Sequence, residues 1–184
     1  MKVKGSALRS TMSFLREQYP APTVARILAG LPEEDRKILT PPILTSAWFP
    51  ADALCRLIHG MEKETPGDPQ DLYLRVGMQS CEDGLNTIYK LFFKVGTPSF
   101  ILKHAGQVWK NYYDEGQIVL VSSTSNTAHV RLEGAKMPDP AMCMRISGWM
   151  KRAAELSGGH SVAVDHCACV HRGAPACEWK TDWA

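Results

Sequence analysis

Helical and extended periodicity occupy different parts of this chain, and that separation is what most constrains its fold. Before Gly116 the apolar residues recur every three or four positions, as on one face of a helix. After Gly116, short alternating runs typical of strands form two hairpins around one further helix. Strands joined in succession by short turns pair antiparallel, so the pattern predicts an α+β fold and not a doubly wound α/β fold.

The N-terminal part is predicted to be a series of helices over residues 5–19, 24–28, 31–39, 50–61 and 71–93. The helix opened by Pro50 has the clearest apolar stripe, at i, i+3, i+4 and i+7 spacing. Residues 43–49 are compatible with a short buried strand or an extended linker. The apolar stripe after Pro50 consists of Ala53, Leu54, Leu57, Ile58 and Met61.

The helix predicted from residue 98 carries the first candidate binding residues. Thr97 suits an N-cap and Pro98 a first helical position. His104 falls on the apolar face of this helix, and Trp109 and Tyr112 belong to an aromatic cluster on it. These side chains are candidates for the lining of a ligand pocket, and the alternative is that they are simply core residues.

The C-terminal part is predicted to supply a sheet of about four antiparallel strands packed on helices. Ile118 with Leu120 and Val130 with Leu132 indicate the first hairpin. A helix follows from Pro140, and residues 160–170 and 176–183 are predicted to form the closing hairpin. An exposed edge at this last strand would offer a surface for pairing with a second copy.

The loop at residues 65–69, rich in Pro and Gly, is the best candidate boundary. It divides an N-terminal helical region, residues 1–65, from an α+β domain, residues 66–184. With 184 residues the two are expected to form one continuous globular unit.

Charge and hydropathy exclude several classes of partner. Lys and Arg number 21 against 19 Asp and Glu, which provides no electrostatic footprint for nucleic acid or for an anionic membrane surface. No apolar run approaches the roughly 20 residues that span a bilayer, and no secretory signal begins the chain. We therefore expect a cytoplasmic location, where six cysteines favour free thiols or metal ligands over disulfides.

Three cysteines near the C-terminus have spacing that suits a metal site. Cys169 and Cys177 flank a Gly-Ala-Pro turn, and a three-residue loop would place them opposite each other. Cross-strand Cβ atoms lie about 4.5–5.5 Å apart, which allows two thiolates to converge on one zinc ion. Cys143 lies on the edge of its helix's apolar stripe, and packing on the sheet could bring it to the same point.

Three readings of these cysteines stay open on spacing alone: zinc ligands, buried free thiols and a disulfide. A structural zinc site needs a fourth ligand, and no residue is selected as that ligand by the sequence. Strict alternation would place Cys167, Cys169 and His171 on one face of the strand. The candidates for the fourth ligand are Cys167, His166, His171, His129 and Glu133.

The segment from Cys143 to Cys169-x7-Cys177-Glu-Trp resembles the end of the 4-vinyl-reductase domain family. Such domains occur in a chlorophyll-synthesis protein and as sensors in phenol- and toluene-responsive transcriptional activators. In those sensors three cysteines and an upstream glutamate bind a structural zinc beside an aromatic-ligand pocket. The resemblance implies that Cys143, Cys169 and Cys177 are the zinc ligands. The place of the glutamate falls near Ser122.

The whole chain is similar to a paralogous family abundant in myxobacteria, domain of unknown function 2378. Together the two resemblances imply the α+β ligand-binding fold shared by vinyl-reductase-type sensors, haem-based nitric-oxide sensors and Golgi vesicle-tethering subunits. The implied role is binding a small apolar ligand, often as a dimer. The matching segments are Lys4-Gly5-Ser6, Leu31-Pro32, Ala47-Trp48-Phe49-Pro50, Val108-Trp109-Lys110-Asn111-Tyr112-Tyr113 and the Cys169–Cys177 pair.

The predicted function is therefore a non-enzymatic sensory or regulatory domain that binds a small apolar or aromatic ligand. No nucleophile elbow, P-loop, metalloprotease or dinucleotide motif is present. One alternative is a protein-interaction subunit without a ligand. Another is a haem or redox sensor acting through His104 or the thiols, although the Tyr-x-Ser-x-Arg motif of the haem sensors is missing.

Overall fold

The computed structural model describes residues 1–84 and 97–184. Their helices and strands follow the predicted order, with a short strand added at the N-terminus. A single 3₁₀ turn, Val170–Arg172, links the last two strands. In chain order the elements are β1 (Lys2–Lys4), α1 (Gly5–Gln18), α2 (Ala21–Ala29), α3 (Glu33–Leu39), β2 (Trp48–Pro50), α4 (Ala51–Glu62), α5 (Pro69–Gly84), α6 (Pro98–Lys103), α7 (Ala105–Tyr112), β3 (Gln117–Ser123), β4 (Thr127–Glu133), α8 (Pro140–Leu156), β5 (Ala163–Ala168) and β6 (Glu178–Asp182).

The α+β prediction is confirmed by the two sheets of the described residues, which are both antiparallel. The main sheet has four strands in the order β3-β4-β6-β5, and β1 pairs with β2 in a small second sheet. The last strand, β6, lies between β4 and β5. The prediction that this strand forms an exposed edge of the sheet is therefore wrong. The two edges are β3 and β5. None of the helices in residues 1–84 and 97–184 is long and apolar enough to cross a membrane.

Local capping chemistry explains where the helices begin. The Thr97 side chain accepts a hydrogen bond from the backbone N–H of Phe100, and Pro98 takes the first helical position. Asp139 caps α8 in the same way through the N–H of Ala141. The predicted helix over residues 71–93 is observed as α5 up to Gly84, and its remainder lies outside the described residues.

The single helix that the sequence predicts from residue 98 is observed as two shorter helices. The stripe from Ile101 to Tyr112 predicts a continuous helix, but α6 ends at Lys103 and α7 begins at Ala105. His104 caps both helices with backbone angles of φ −97° and ψ 9°, outside the helical region. The break turns the side chain of His104 away from the face that carries Ala105 and Val108.

Helices α5 and α8 cross so closely that their backbones touch. A Cβ atom at Gly77 would lie 1.9 Å from the carbonyl oxygen of Arg145, and one at Gly148 would lie 2.1 Å from the carbonyl oxygen of Leu74. Both positions therefore need glycine because of close approach, not because of backbone angle. The contact fixes α8 between α5 and the strands β5 and β6, on which it also packs.

A single hydrophobic cluster joins residues from both sides of the loop at residues 65–69. It includes Leu54 and Leu57 of α4 together with Leu132 of β4 and Trp179 of β6. The division into residues 1–65 and 66–184 stays a prediction.

The ion pair between Asp35 and Arg56 ties α3 to α4. Asp35 is only 1% exposed, and its two carboxylate oxygens accept hydrogen bonds of 2.6 and 2.8 Å from the Arg56 guanidinium. We expect Arg56→Ala to lower the free energy of unfolding by about 2–3 kcal/mol, because it leaves a buried carboxylate without its partner. Urea denaturation measures the change. Lys37→Ala breaks the exposed pair with Glu33 and should leave the midpoint unchanged; equal losses would contradict the prediction.

Candidate functional site

Four buried donor atoms from three elements meet between α8 and the closing hairpin. The sulfur atoms of Cys143, Cys169 and Cys177 and one ring nitrogen of His166 all lie within 4.8 Å of one another. Cys143 comes from the second turn of α8, His166 from β5, and the other two cysteines from the ends of the connection between β5 and β6. We call this group the Cys3His cluster. The structure thus brings together all three cysteines that the sequence singles out.

The geometry of the cluster suits a tetrahedral metal ion. The Sγ atoms of Cys143 and Cys177 are 3.8 Å apart, far longer than a disulfide bond, and all six cysteines are free. Thiolates bound to zinc at about 2.3 Å in tetrahedral array are separated by about 3.8 Å. The Nε2 atom of His166 is buried and has no hydrogen-bond partner in the described part of the chain. A metal ion would satisfy that nitrogen.

A β-bulge explains why His166 joins Cys169 on one face. Asp165 pairs with Lys180 and Ala168 pairs with Glu178. Between these two pairs β5 advances by three residues and β6 by only two, so β5 contains one extra residue. The extra residue breaks the period of two, and positions 166 and 169 both turn toward α8. The expectation that Cys167, Cys169 and His171 share a face is therefore wrong. The ring of His166 stacks on Trp179 with centroids 4.9 Å apart.

Electrostatics within the cluster favour one thiolate. A hydrogen bond from Cys143 lowers the pKa of the Cys177 thiol to about 4, with the neighbouring His166 acting in the same direction and burial opposing both. The same shared proton, together with burial, raises the pKa of Cys143 above its ordinary value. Cys177 is thus the more acidic thiol of the pair, and metal binding would displace the proton that Cys143 holds.

The other sequence candidates for the fourth ligand lie elsewhere. His129 and Cys167 face the outer side of the sheet, where they form a separate group with Glu178. His129 and Glu178 are hydrogen-bonded at 2.7 Å, and Glu178 also accepts from Arg131. His171 and Glu133 are exposed. Of the five candidates, only His166 reaches the three cysteines.

An aromatic cavity lies on the other side of α8, against α7 and β3. The volume of this cavity is about 40 Å³. Trp109 and Tyr112 line it, as the sequence suggests, and the Trp109 ring stacks on Tyr113 at 4.0 Å. We call this space the aromatic cavity; its lining consists of Ser80, Ala105, Val108, Trp109, Tyr112, Tyr113, Ile118, Arg145, Ile146, Trp149 and Met150.

His104 is not part of this lining. Its Nδ1 atom lies 2.7 Å from the carbonyl oxygen of Phe100, and its ring packs against the Phe100 ring at a centroid distance of 4.4 Å. It faces a separate, polar surface depression together with Lys103, Gln107 and Lys110. The helix break at His104, which periodicity alone does not reveal, separates it from Trp109 and Tyr112.

No protein-family model and no curated protein matches this chain. Solved structures do match. An H-NOX protein from Shewanella oneidensis, in the Fe(II) ligation state, shares 14% sequence identity at a TM-score of 0.77, over 98% of this chain and 96% of that one. An unliganded Fe(II) H-NOX protein from K. algicida has 13% identity and a TM-score of 0.76 over 98% and 96%. A haem protein with a distorted porphyrin has 11% identity and a TM-score of 0.70 over 98% and 99%.

This chain therefore has an H-NOX-like fold, and the likeness extends over nearly its full length. The identities, all below 25%, show the fold alone. The expected α+β class is confirmed at that level. The closer kinship with the 4-vinyl-reductase domains and with domain of unknown function 2378 stays a prediction.

The described residues do not form a haem site. The aromatic cavity holds roughly three water molecules at about 40 Å³, far less than a porphyrin requires. His104, the candidate iron ligand, lies outside its lining and is engaged with Phe100.

Proposed function

We propose that this chain is a non-enzymatic sensory or regulatory domain that binds a small apolar or aromatic molecule in the aromatic cavity. The observation that carries the proposal is the cavity itself, because it joins Trp109 and Tyr112 to a wall that is largely apolar apart from Arg145 and the Ser80 and Tyr113 hydroxyls. The H-NOX-like fold supports a sensory role, since the matched S. oneidensis protein is recorded in an Fe(II)NO state. The proposed setting is the cytoplasm.

Ligand entry is proposed to occur past Tyr112 and Trp149. These are half-buried, unlike the buried Val108, Trp109, Ile118 and Met150, so they lie at the solvent side of the cavity. Molecules larger than about three waters would displace them. The motion would carry the presence of the ligand to the surface.

A thermal-shift experiment tests the cavity. We expect toluene, phenol or butanol at one hundred times its dissociation constant to stabilise the protein by about 2.7 kcal/mol, a rise of roughly 5–10 °C in Tm. Ile118→Phe fills the cavity and should abolish the shift. Val119→Phe changes the adjacent residue, which faces the other side of β3, and should retain it. Equal shifts in the two variants would exclude the aromatic cavity as the binding site.

The Cys3His cluster is proposed to hold one structural zinc ion. Bound there, zinc would join α8 to the closing hairpin through Cys143 on one side and His166, Cys169 and Cys177 on the other. With four protein ligands the site is closed, which suits a structural and not a catalytic ion.

Self-association is a second candidate function, favoured by the edge strand β3. Leu120 and Val121 are 41% and 42% exposed there, in a position where a second copy could pair. We expect a concentration-dependent dimer in sedimentation experiments, lost in Leu120→Lys. A monomer at all concentrations would leave only the ligand-binding function.

A further inference from the structure

A buried guanidinium without a counter-ion projects into the aromatic cavity. Arg145 of α8 is only 3% exposed. Its Nη1 donates to the Tyr113 hydroxyl at 3.0 Å and its Nη2 to the Ser80 hydroxyl at 2.5 Å. The third nitrogen, Nε, has no hydrogen-bond partner among residues 1–84 and 97–184. Both acceptors are neutral hydroxyl groups that also line the cavity.

No acidic residue is available to balance this charge. Arg145 takes part in none of the ion pairs of the described residues. Residues 85–96, which complete the chain, contain no Asp or Glu. Its ionisable neighbours Tyr113 and Cys55 carry no charge near pH 7, because burial raises the pKa of Tyr113 and raises that of Cys55 to about 12. Buried cations in proteins are normally paired with an anion. Because no anion of the chain pairs with Arg145, we infer that an anion from outside the chain would stabilise it.

The remaining walls define what kind of anion fits. Apart from Arg145 and the Ser80 and Tyr113 hydroxyls, the lining is apolar or aromatic. One positive group at one wall of an apolar space suits a molecule with a single anionic group and a short apolar body. A planar carboxylate matches the fork of a guanidinium and can accept from Nε and one terminal nitrogen together.

We propose that the aromatic cavity binds a small monocarboxylic acid as its anion, with the carboxylate on Arg145 and the apolar part against Trp109 and Met150. This inference rests on the proposed function and narrows its ligand class. Arg145 is the residue that selects acids over neutral molecules of the same shape. The size of the cavity favours acids near propionate, with benzoate requiring movement of Tyr112 and Trp149.

Paired acids and amides test the inference by isothermal titration of the full chain. We expect propionate or benzoate to bind at least tenfold more tightly than propionamide or benzamide, because a carboxylate forms charge-assisted hydrogen bonds with a guanidinium and a neutral amide does not pair with it charge to charge. Arg145→Met should abolish this preference while neutral probes still bind. Arg145→Lys keeps the positive charge and should retain part of the preference for acids. The Tm of the ligand-free Arg145→Met protein reports whether the variant folds.

Arg152→Met is the matched control. Arg152 lies on the same helix but is paired with Glu82 and Glu155, so its replacement should leave acid binding unchanged. If neutral probes bind and acids bind no better, or if Arg145→Met keeps the preference, the inference is overturned and the proposed function stands. If neither acids nor neutral probes bind, both are overturned.

Discussion

Cys169→Ser should release one zinc ion per chain and lower the free energy of unfolding by about 4 kcal/mol or more. Structural zinc contributes about 10–16 kcal/mol of binding free energy in small zinc-dependent domains, and that free energy acts directly on folding. Here the metal would join α8 to the closing hairpin, two parts of the fold that otherwise meet through contacts such as the hydrogen bond from Trp179 to the Cys143 carbonyl. Native mass spectrometry with elemental analysis measures the metal, and urea denaturation measures the stability.

The neighbouring residues supply controls for that experiment. His166→Ala removes the fourth donor and should also lower zinc content, whereas Cys167→Ser changes an exposed thiol one residue away and should not. Treatment with a chelator should destabilise the wild-type protein and leave Cys169→Ser unaffected. A wild-type protein that is folded, free of metal and no more stable than Cys169→Ser would show that these are buried thiols.

Gly148→Ala and Gly77→Ala should each cost about 3–5 kcal/mol, a large part of the roughly 5–15 kcal/mol by which an ordinary domain is stable. At both positions the new methyl group would lie about 2 Å from a carbonyl oxygen of the opposite helix, at 2.1 and 1.9 Å. Backbone cannot rotate out of the way as a side chain can, so α5 and α8 would have to separate and open the core. Urea denaturation followed by circular dichroism measures the loss.

Gly30→Ala is the matched control for the helix crossing. Gly30 caps α2 with a φ of −76°, and a Cβ atom there would meet its nearest neighbours at 3.5 Å, which is ordinary contact. We expect a change of less than about 0.5 kcal/mol. Comparable losses at Gly30, Gly77 and Gly148 would mean that the close crossing is not what makes glycine necessary.

The helices and the fold class follow from local rules that the sequence displays. Thr97-Pro98 and Asp139-Pro140 mark two helix starts through capping, and the stripe from Ala53 to Met61 is fully buried as its spacing predicts. The three cysteines meet because the closing hairpin and α8 are both well specified. These features depend on residues near one another in sequence.

The features that the sequence did not reveal depend on pairing between distant residues. The bulge at residues 166–167 is set by the register of β5 against β6, so alternation alone placed Cys167 and His171 on the face of Cys169 and left His166 as one of five candidates for the fourth ligand. The position of β6 at the centre of the sheet follows from the long connection through α8. The break at His104 similarly separates one apolar stripe into two helices.

The position of Arg145 in the sequence already marks it as unusual, although the composition of the chain does not. It lies three residues after Met142 and next to Ile146, within the apolar stripe of α8, where a charged residue is out of place. Its lack of a counter-ion is visible only in the folded chain. Polar residues inside an otherwise apolar stripe are therefore worth treating as candidates for ligand binding.

Helix α8 carries a residue of each proposed site, Cys143 in the Cys3His cluster and Arg145 in the aromatic cavity, only two positions apart. The close backbone contact between α8 and α5 at Gly148 opposes movement of α8 along α5. The side chains of Cys143 and Arg145 would therefore move together, as parts of one rigid helix. Binding of the proposed zinc ion and of the proposed acid would then be thermodynamically linked. Whatever factor the ion adds to the affinity for the acid, the acid must add to the affinity for the ion.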